Sequence, residues 1–183
     1  MSADNTRSKI LEAAAYIIQT NGILSFTLEA VAKQAGVSKG GLLYHFPSKE
    51  ALVSGMVEHL MQNYIENIEK NANQDTLPYG RWTRSFIRGS FEKSNPDKYM
   101  NAGLMAAAAV NRELLEPVQE AYEQWQTRIN NDQLDSIDST ILRLAVDGLW
   151  FSEIFDLAPL EKQHRQRVLE RMIQLTKENN PTK

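Results

Sequence analysis

Residues 27–46 read TLEAVAKQAGVSKGGLLYHF, and the fold follows from how this stretch divides. Thr27 stands directly before an apolar row of helical spacing, Leu28, Val31, Ala32 and Ala35, which is where a helix N-cap belongs. Gly36 ends that row. Ser38 then caps a second short segment, with Val37, Leu42 and Phe46 as its apolar positions and Pro47 as its stop. Two short helices joined by a tight, glycine-containing turn make a helix-turn-helix. The other face of the second helix carries Lys39, Gly40, Gly41, Leu43 and Tyr44, with His45 beside them. A helix N-terminus that offers amides and a lysine suits phosphate. The two glycines remove bulk where backbone approaches a partner, and each weakens a helix by about 1 kcal/mol relative to alanine. A helix that only packs has little reason to accept that cost. These residues alone still leave open a plainer alternative, two packing helices with a glycine-rich cap.

Outward from this stretch the periodicity stays helical. Upstream, residues 6–20 place Ile10, Ala13, Ala14, Ile17 and Ile18 on one face, with Asn21-Gly22 as the stop. Downstream, Ser48 caps a long helix reaching about Asn71, roughly 35 Å at 1.5 Å per residue. Its apolar row is Leu52, Val53, Met56, Val57, Leu60, Met61, Tyr64, Ile65 and Ile68. Residues 71–80, NANQDTLPYG, have the composition of a loop. Further helices are expected at 80–93, 96–110, 113–130, 138–156 and 160–177. Asn95-Pro96 reads as a cap followed by proline at the first helical position, and Ala158-Pro159 separates the last two helices. No segment alternates as a strand would, so the expected class is all-α with about nine helices.

The 183 residues are 42% hydrophobic, enough for a sizeable core, and the net charge is −3. Residues 1–47 hold Arg7, Lys9, Lys33 and Lys39 against Asp4, Glu12 and Glu29, while the rest carries 16 basic and 20 acidic side chains. This mild asymmetry places the less acidic surface at the N-terminal end and does not by itself indicate nucleic acid. The absence of cysteine excludes disulfides, thiolate metal sites and cysteine nucleophiles. No apolar run approaches the ~20 residues of a membrane span, and MSADNTRSK lacks a signal-peptide core. A cytoplasmic protein without a membrane partner is expected.

FTLEAVAKQA (26–35) followed by GVSKGGLLYHFPSKEALV (36–53) resembles the DNA-binding module of TetR-family transcriptional regulators. Gly36-Val37-Ser38, Leu42, Phe46, Ser48-Lys49-Glu50 and Leu52 match that family's pattern in order and spacing, within a resemblance covering residues 6–53. One position departs: Leu43 stands where the family usually has an aromatic, while Tyr44 and His45 are retained. Leucine cannot donate to a phosphate but can touch a thymine methyl, so the departure bears on base preference. The resemblance implies an all-helical homodimer, with a helix-turn-helix DNA-binding domain at 1–47 and a helical regulatory and dimerisation domain at 48–183. It implies contacts to double-stranded operator DNA from Thr27, Ser38, Lys39, Gly40, Gly41, Leu43, Tyr44, His45 and Lys49. It further implies repression at a palindromic operator, relieved by a small apolar or amphipathic effector.

Residues 139–156, STILRLAVDGLWFSEIFD, are apolar nearly all round, as in a helix covered on most sides. Ala145, Gly148 and Ser152 are small residues one turn apart. Val168, Leu169, Met172 and Ile173 form a stripe on the helix that follows. Two such helices per subunit suit a four-helix dimer contact, where the resemblance also places it; an intramolecular core would use the same residues. Aromatic and methionine residues gather between these regions, and Trp82, Phe86, Met100, Met105, Tyr122, Trp125, Trp150 and Phe151 are the candidate lining of an effector pocket, since such pockets are mostly apolar. Plain core packing is the alternative for each.

Catalysis finds no support. His45, His59 and His164 lie far apart, with no second histidine at i+3 or i+4. Gly40-Gly41 follows its lysine, the wrong order for a phosphate loop. No catalytic residue, metal or cofactor is nominated. Two rivals remain: a DNA-binding protein of the same kind controlled by a protein partner, and, more distantly, an all-helical enzyme.

Overall fold

In the computed structural model of the chain, the backbone is described for residues 3–91 and 97–178 and side chains for 5–90 and 103–178. These residues form nine α-helices and two short 3-10 turns, with no strand among them. The helices are α1 (Ala3–Asn21), α2 (Leu28–Ala35), α3 (Lys39–His45), α4 (Lys49–Gln74), α5 (Arg81–Phe91), α6 (Asp97–Val110), α7 (Glu116–Asn130), α8 (Ser136–Ile154) and α9 (Lys162–Glu178). They divide into two compact units, Met1–Asn63 with Asn95–Gln119, and Tyr64–Ser94 with Glu120–Lys183.

In the first unit, the expected inner faces are the buried ones. Ile10, Ala13, Ala14, Ile17 and Ile18 of α1 are buried, as are Val31 and Ala32 of α2, Leu42 of α3, and Leu52, Val53, Met56 and Val57 of α4. Each large side chain removed from water contributes roughly 1.5–3 kcal/mol, so these short helices are held by packing and not by propensity. α6 packs against α1 and meets α4 at Gly103, where an added Cβ would lie 3.5 Å from the Cβ of Met56.

The second unit is organised around a buried guanidinium. Arg84 of α5 is fully buried; its Nε donates to Asp75 Oδ2 at 2.7 Å, and one terminal nitrogen donates to Asp75 Oδ1 at 2.9 Å and the Tyr79 carbonyl at 2.7 Å. Thr176 Oγ1 of α9 accepts from its other terminal nitrogen at 3.2 Å. This one side chain therefore ties the segment between α4 and α5 to α9. Burial pushes the Asp75 carboxyl up, but the Arg84 and Leu77 hydrogen bonds and the charges of Arg84 and Arg88 outweigh it and hold the group below the usual carboxylate range. At the N-terminus of α5, the Thr83 amide donates to buried Asp132 Oδ2 at 2.8 Å, and Gly80 N donates to the Asp132 carbonyl at 2.7 Å.

Three boundaries differ from the sequence reading. α4 continues to Gln74, through residues expected to begin a loop, because Ala72 extends the inward row of Ile68 and is buried with it. The helix expected from 113 begins instead as a 3-10 turn, Arg112–Leu115, capped by Asn111, and becomes α-helical at Glu116. The Asn95-Pro96 cap lies outside the described residues. None of the described helices is long and apolar enough to cross a membrane.

Candidate nucleic-acid interface

The turn between α2 and α3 is built by local hydrogen bonds. Thr27 Oγ1 accepts from the Ala30 amide at 3.1 Å and Ser38 Oγ from the Gly41 amide at 3.0 Å, so both helices start with a side-chain cap. Gly36 ends α2 in the left-handed region, φ 68°, and Val37 N donates back to the Ala32 carbonyl at 3.0 Å. Glycine belongs here, because a side chain in this conformation is strained. Ser48 caps α4 in turn, accepting from Ala51 N at 3.0 Å. Leu42, fully buried, fixes the inner side of α3, and Phe26 and Phe46 complete the core beneath it.

With Leu42 turned inward, α3 presents Lys39, Gly40 and Tyr44 outward. Tyr44 is 83% exposed, with its ring edge-to-face on His45 at 5.2 Å. A Cβ added at Gly40 would meet nothing within 4 Å, so no neighbour inside the chain requires glycine there. Gly41 is different: its Cβ would come within 3.2 Å of Ser38 Oγ, the cap atom itself. Leu43 and His45 are half-buried, and Thr27 and Ser38 are exposed. Lys49 lies with its ammonium over the Phe26 ring, 5.0 Å from the centroid. The residues read as a recognition surface thus lie on α3 and its N-cap Ser38, at the N-cap of α2 and at the first residue of α4.

Two residues of this surface were missed in the sequence. Arg7 of α1 lies 5.2 Å over the Phe46 ring and pairs with Glu58 at 3.7 Å. Glu29, in the first turn of α2, accepts a hydrogen bond from Lys39 Nζ, and this bond is the main reason its carboxyl is held below the usual range. The positions are ten residues apart, so no helical spacing announces the pair.

The candidate pocket residues separate. Phe86, Tyr122 and Trp125 come together with Tyr64 of α4, the ring centroids of neighbouring pairs 5.0–6.3 Å apart in edge-to-face contact, while Trp82 only shares a hollow with Phe86 and Trp125. The Arg128 guanidinium lies 4.4 Å over Trp82. The hollow bounded by Ile68, Trp82, Phe86, Trp125, Arg128 and Ile129 has no room for a water molecule. Tyr122 donates to Asp147 Oδ1 at 3.0 Å, and Arg143 donates to Asp147 Oδ2 at 2.6 Å. Burial, then the Asp147 charge, pushes the Tyr122 hydroxyl up, and burial also pushes Asp147 up. Trp150 is half-buried, and its indole N–H is buried with no hydrogen-bond partner. Phe151 does not join the cluster: it is 52% exposed on α8, its ring tilted against Phe155 at 4.6 Å between centroids. Met105 belongs to the first unit and is 45% exposed. Met100 lies outside the residues whose side chains are described.

The candidate dimer residues separate too. Ala145 and Gly148 are exposed and Ser152, Val168 and Ile173 half-buried, whereas Leu169 and Met172 turn into the chain's own core beside α5. The apolar face left open is on α8: Ile137, Ile141, Leu144 and Phe151, with Phe155 just past its end, recur at one- or two-turn spacing and are all about half exposed or more. The sequence showed α8 to be apolar all round but not which side the chain itself covers.

Comparison with known proteins agrees with this geometry. Residues 10–56 match the family described as bacterial regulatory proteins, tetR family, and residues 80–177 match the tetracyclin repressor-like C-terminal domain. The nucleoid occlusion factor SlmA of Vibrio campbellii is 29% identical over 128 residues, covering 68% of this chain and 65% of that protein's length. The transcriptional regulator LmrA of Bacillus subtilis is 30% identical over 131 residues, covering 68% of this chain and 69% of that protein. Among solved structures, FadR from Bacillus subtilis in complex with stearoyl-CoA superposes with a TM-score of 0.70 at 18% identity, over 90% of this chain and 96% of that one.

Proposed function

The chain belongs to the tetR family of bacterial regulatory proteins, and from that premise we propose that it acts in the cytoplasm as a homodimer that seats two copies of α3 in the major groove of a two-fold-related operator and thereby represses transcription. The observation that carries the reading is the outer face of α3, with exposed Lys39 and Tyr44 around a Gly40 that no internal neighbour requires. Backbone at Gly40 and Gly41 approaches the groove, and Leu43, Tyr44 and His45 meet base edges. Thr27, Ser38, Lys39 and Lys49 meet phosphates, which fix register without reading sequence. The labour divides at residue 47, with the DNA contacts other than Lys49 before it and assembly and control after it. Pairing uses the open face of α8, where exposed Ala145 and Gly148 let a second copy approach closely. Obligate interfaces of this kind bury on the order of 2,000 Å² or more, and half-sites then lie about one helical turn or a multiple apart. The test is enrichment of a random duplex pool on the full-length protein. A two-fold-symmetric sequence should emerge, and Gly40→Phe should lose it while unfolding at the wild-type denaturant concentration. A pool that never enriches, or a Gly40→Phe variant that binds as wild type, overturns the reading.

Control is the second part of the proposal. A small apolar or amphipathic effector finds support in the fold shared with the stearoyl-CoA complex of FadR and in the unpartnered Trp150 N–H. It must, however, force apart Tyr64, Phe86, Tyr122 and Trp125, whose edge-to-face contacts are worth about 0.5–1.5 kcal/mol per pair. The hollow bounded by Trp82, Phe86 and Trp125 is closed as it stands, and the other reading, control by a protein partner, needs no cavity there. Titrating the protein–operator complex with long-chain acyl thioesters while following tryptophan emission separates the two. DNA release accompanied by an emission change supports the effector; an unchanged complex that a cellular protein fraction dissociates supports the partner.

A further inference from the structure

We infer that Glu29 is an internal stand-in for a DNA phosphate, which occupies Lys39 and so restrains the sequence-independent attraction of α3 for the duplex; the inference rests on the DNA-binding reading above. Lys39 is the first residue of α3, and the outward face of the same helix is the proposed groove surface. Its ammonium is bonded to the Glu29 carboxylate, which reaches across from the first turn of α2. Both side chains are more than half exposed, and the Glu29 carboxylate, which also takes a hydrogen bond from its own backbone amide, is held chiefly by Lys39. The helix starts are already capped by Thr27 and Ser38. A carboxylate and a phosphate oxygen are the same kind of acceptor for an ammonium, and both carry negative charge, so they compete for Lys39 and repel one another.

Exchange of one acceptor for the other sets what Lys39 contributes. Where the duplex is held loosely and by charge alone, the pair stays closed and Lys39 neutralises no phosphate. Each phosphate that is neutralised steepens the dependence of log affinity on log salt by about 0.9. With the pair closed, removing Lys39 from the wild-type chain therefore changes that slope by much less than one. Without the carboxylate, the lysine is released to the backbone and its full contribution appears.

The experiment is a double-mutant cycle on the intact protein, read by anisotropy of a fluorescent random-sequence duplex across a salt series. Glu29→Gln should bind about two- to five-fold tighter at low salt, the scale of one exposed ion pair. Lys39→Ala should cost the Glu29→Gln chain several-fold more than it costs the wild type, and should flatten its salt slope by about one. Equal gains from Glu29→Gln with and without Lys39 mean that Glu29 acts by its own charge on the DNA, and overturn the inference. No gain at all also overturns it. Glu29→Ala is the second variant, with the same expectations, and thermal unfolding checks that neither change disturbs the fold. A wild-type protein that binds no duplex at any salt sinks the DNA-binding reading itself, a result distinct from additive mutants of a protein that binds.

Discussion

At Gly55 of α4 the chain has no room for one more carbon. A Cβ there would stand 2.5 Å from Cε1 of Phe46, the residue that ends α3, and 3.3 Å from an Arg7 nitrogen. Phe46 is buried, so its ring must displace packed neighbours to give way. Gly55→Ala should therefore displace the end of the recognition helix. It should lower unfolding free energy by about 1–3 kcal/mol, the usual cost of overpacking, and weaken operator binding with it. Urea denaturation and anisotropy on the same preparation check both halves; an unchanged midpoint would mean that the ring has somewhere to go. Gly55 could not be read as special from the sequence, since nothing near it in the chain touches it. Thr27, Gly36, Ser38 and Ser48 could be, because each makes its structure with atoms no more than five residues away.

Helices α8 and α9 both carry apolar rows, and the chain uses them differently. The apolar stripe of α9 contains Leu169 and Met172, buried against the chain's own core, whereas Ile141 and Leu144 of α8 are 57% and 53% exposed. Ile141→Glu or Leu144→Glu should yield a folded monomer by sedimentation, with a wild-type helical signal. Met172→Glu should unfold the chain, because an unpaired charge would enter the core. Folded dimer from Ile141→Glu and Leu144→Glu together would place the proposed contact elsewhere. Helical periodicity made both helices legible as elements. It did not tell Phe151, on the outside, from Trp125, on the inside, because both stand in apolar rows and only the packed partner decides. The aromatic cluster shows the same limit: Tyr64 joins Trp125 across sixty residues of chain, and that juxtaposition belongs to tertiary structure alone.

For the molecule as a whole, the Arg84–Asp75 pair sets how the fold answers to acid. The Asp75 carboxyl is held below its ordinary range, so its stabilisation is present above the ordinary carboxylate pKa and is lost as pH falls through the lowered one. Asp132 and Asp147, pushed up chiefly by burial, act in the opposite sense, and protonation relieves them as pH falls. Asp75→Asn strands a buried guanidinium and should cost on the order of 3–5 kcal/mol at neutral pH, with the gap to wild type narrowing toward pH 3. Asp147→Asn should show the opposite trend, the wild type gaining stability relative to the variant as pH falls. Urea midpoints from pH 7 to pH 3 check the pair; a constant gap for Asp75→Asn would show that its charge is not what matters. The bare face of α8 carries a different consequence, one of number. If a second copy covers it, mass action makes the stability of the paired protein depend on how much of it there is. Each tenfold dilution then removes about 1.4 kcal/mol from the assembled form. A cell holding few molecules would keep fewer of them paired than simple proportion suggests, and occupancy of the operator would fall off below a threshold copy number.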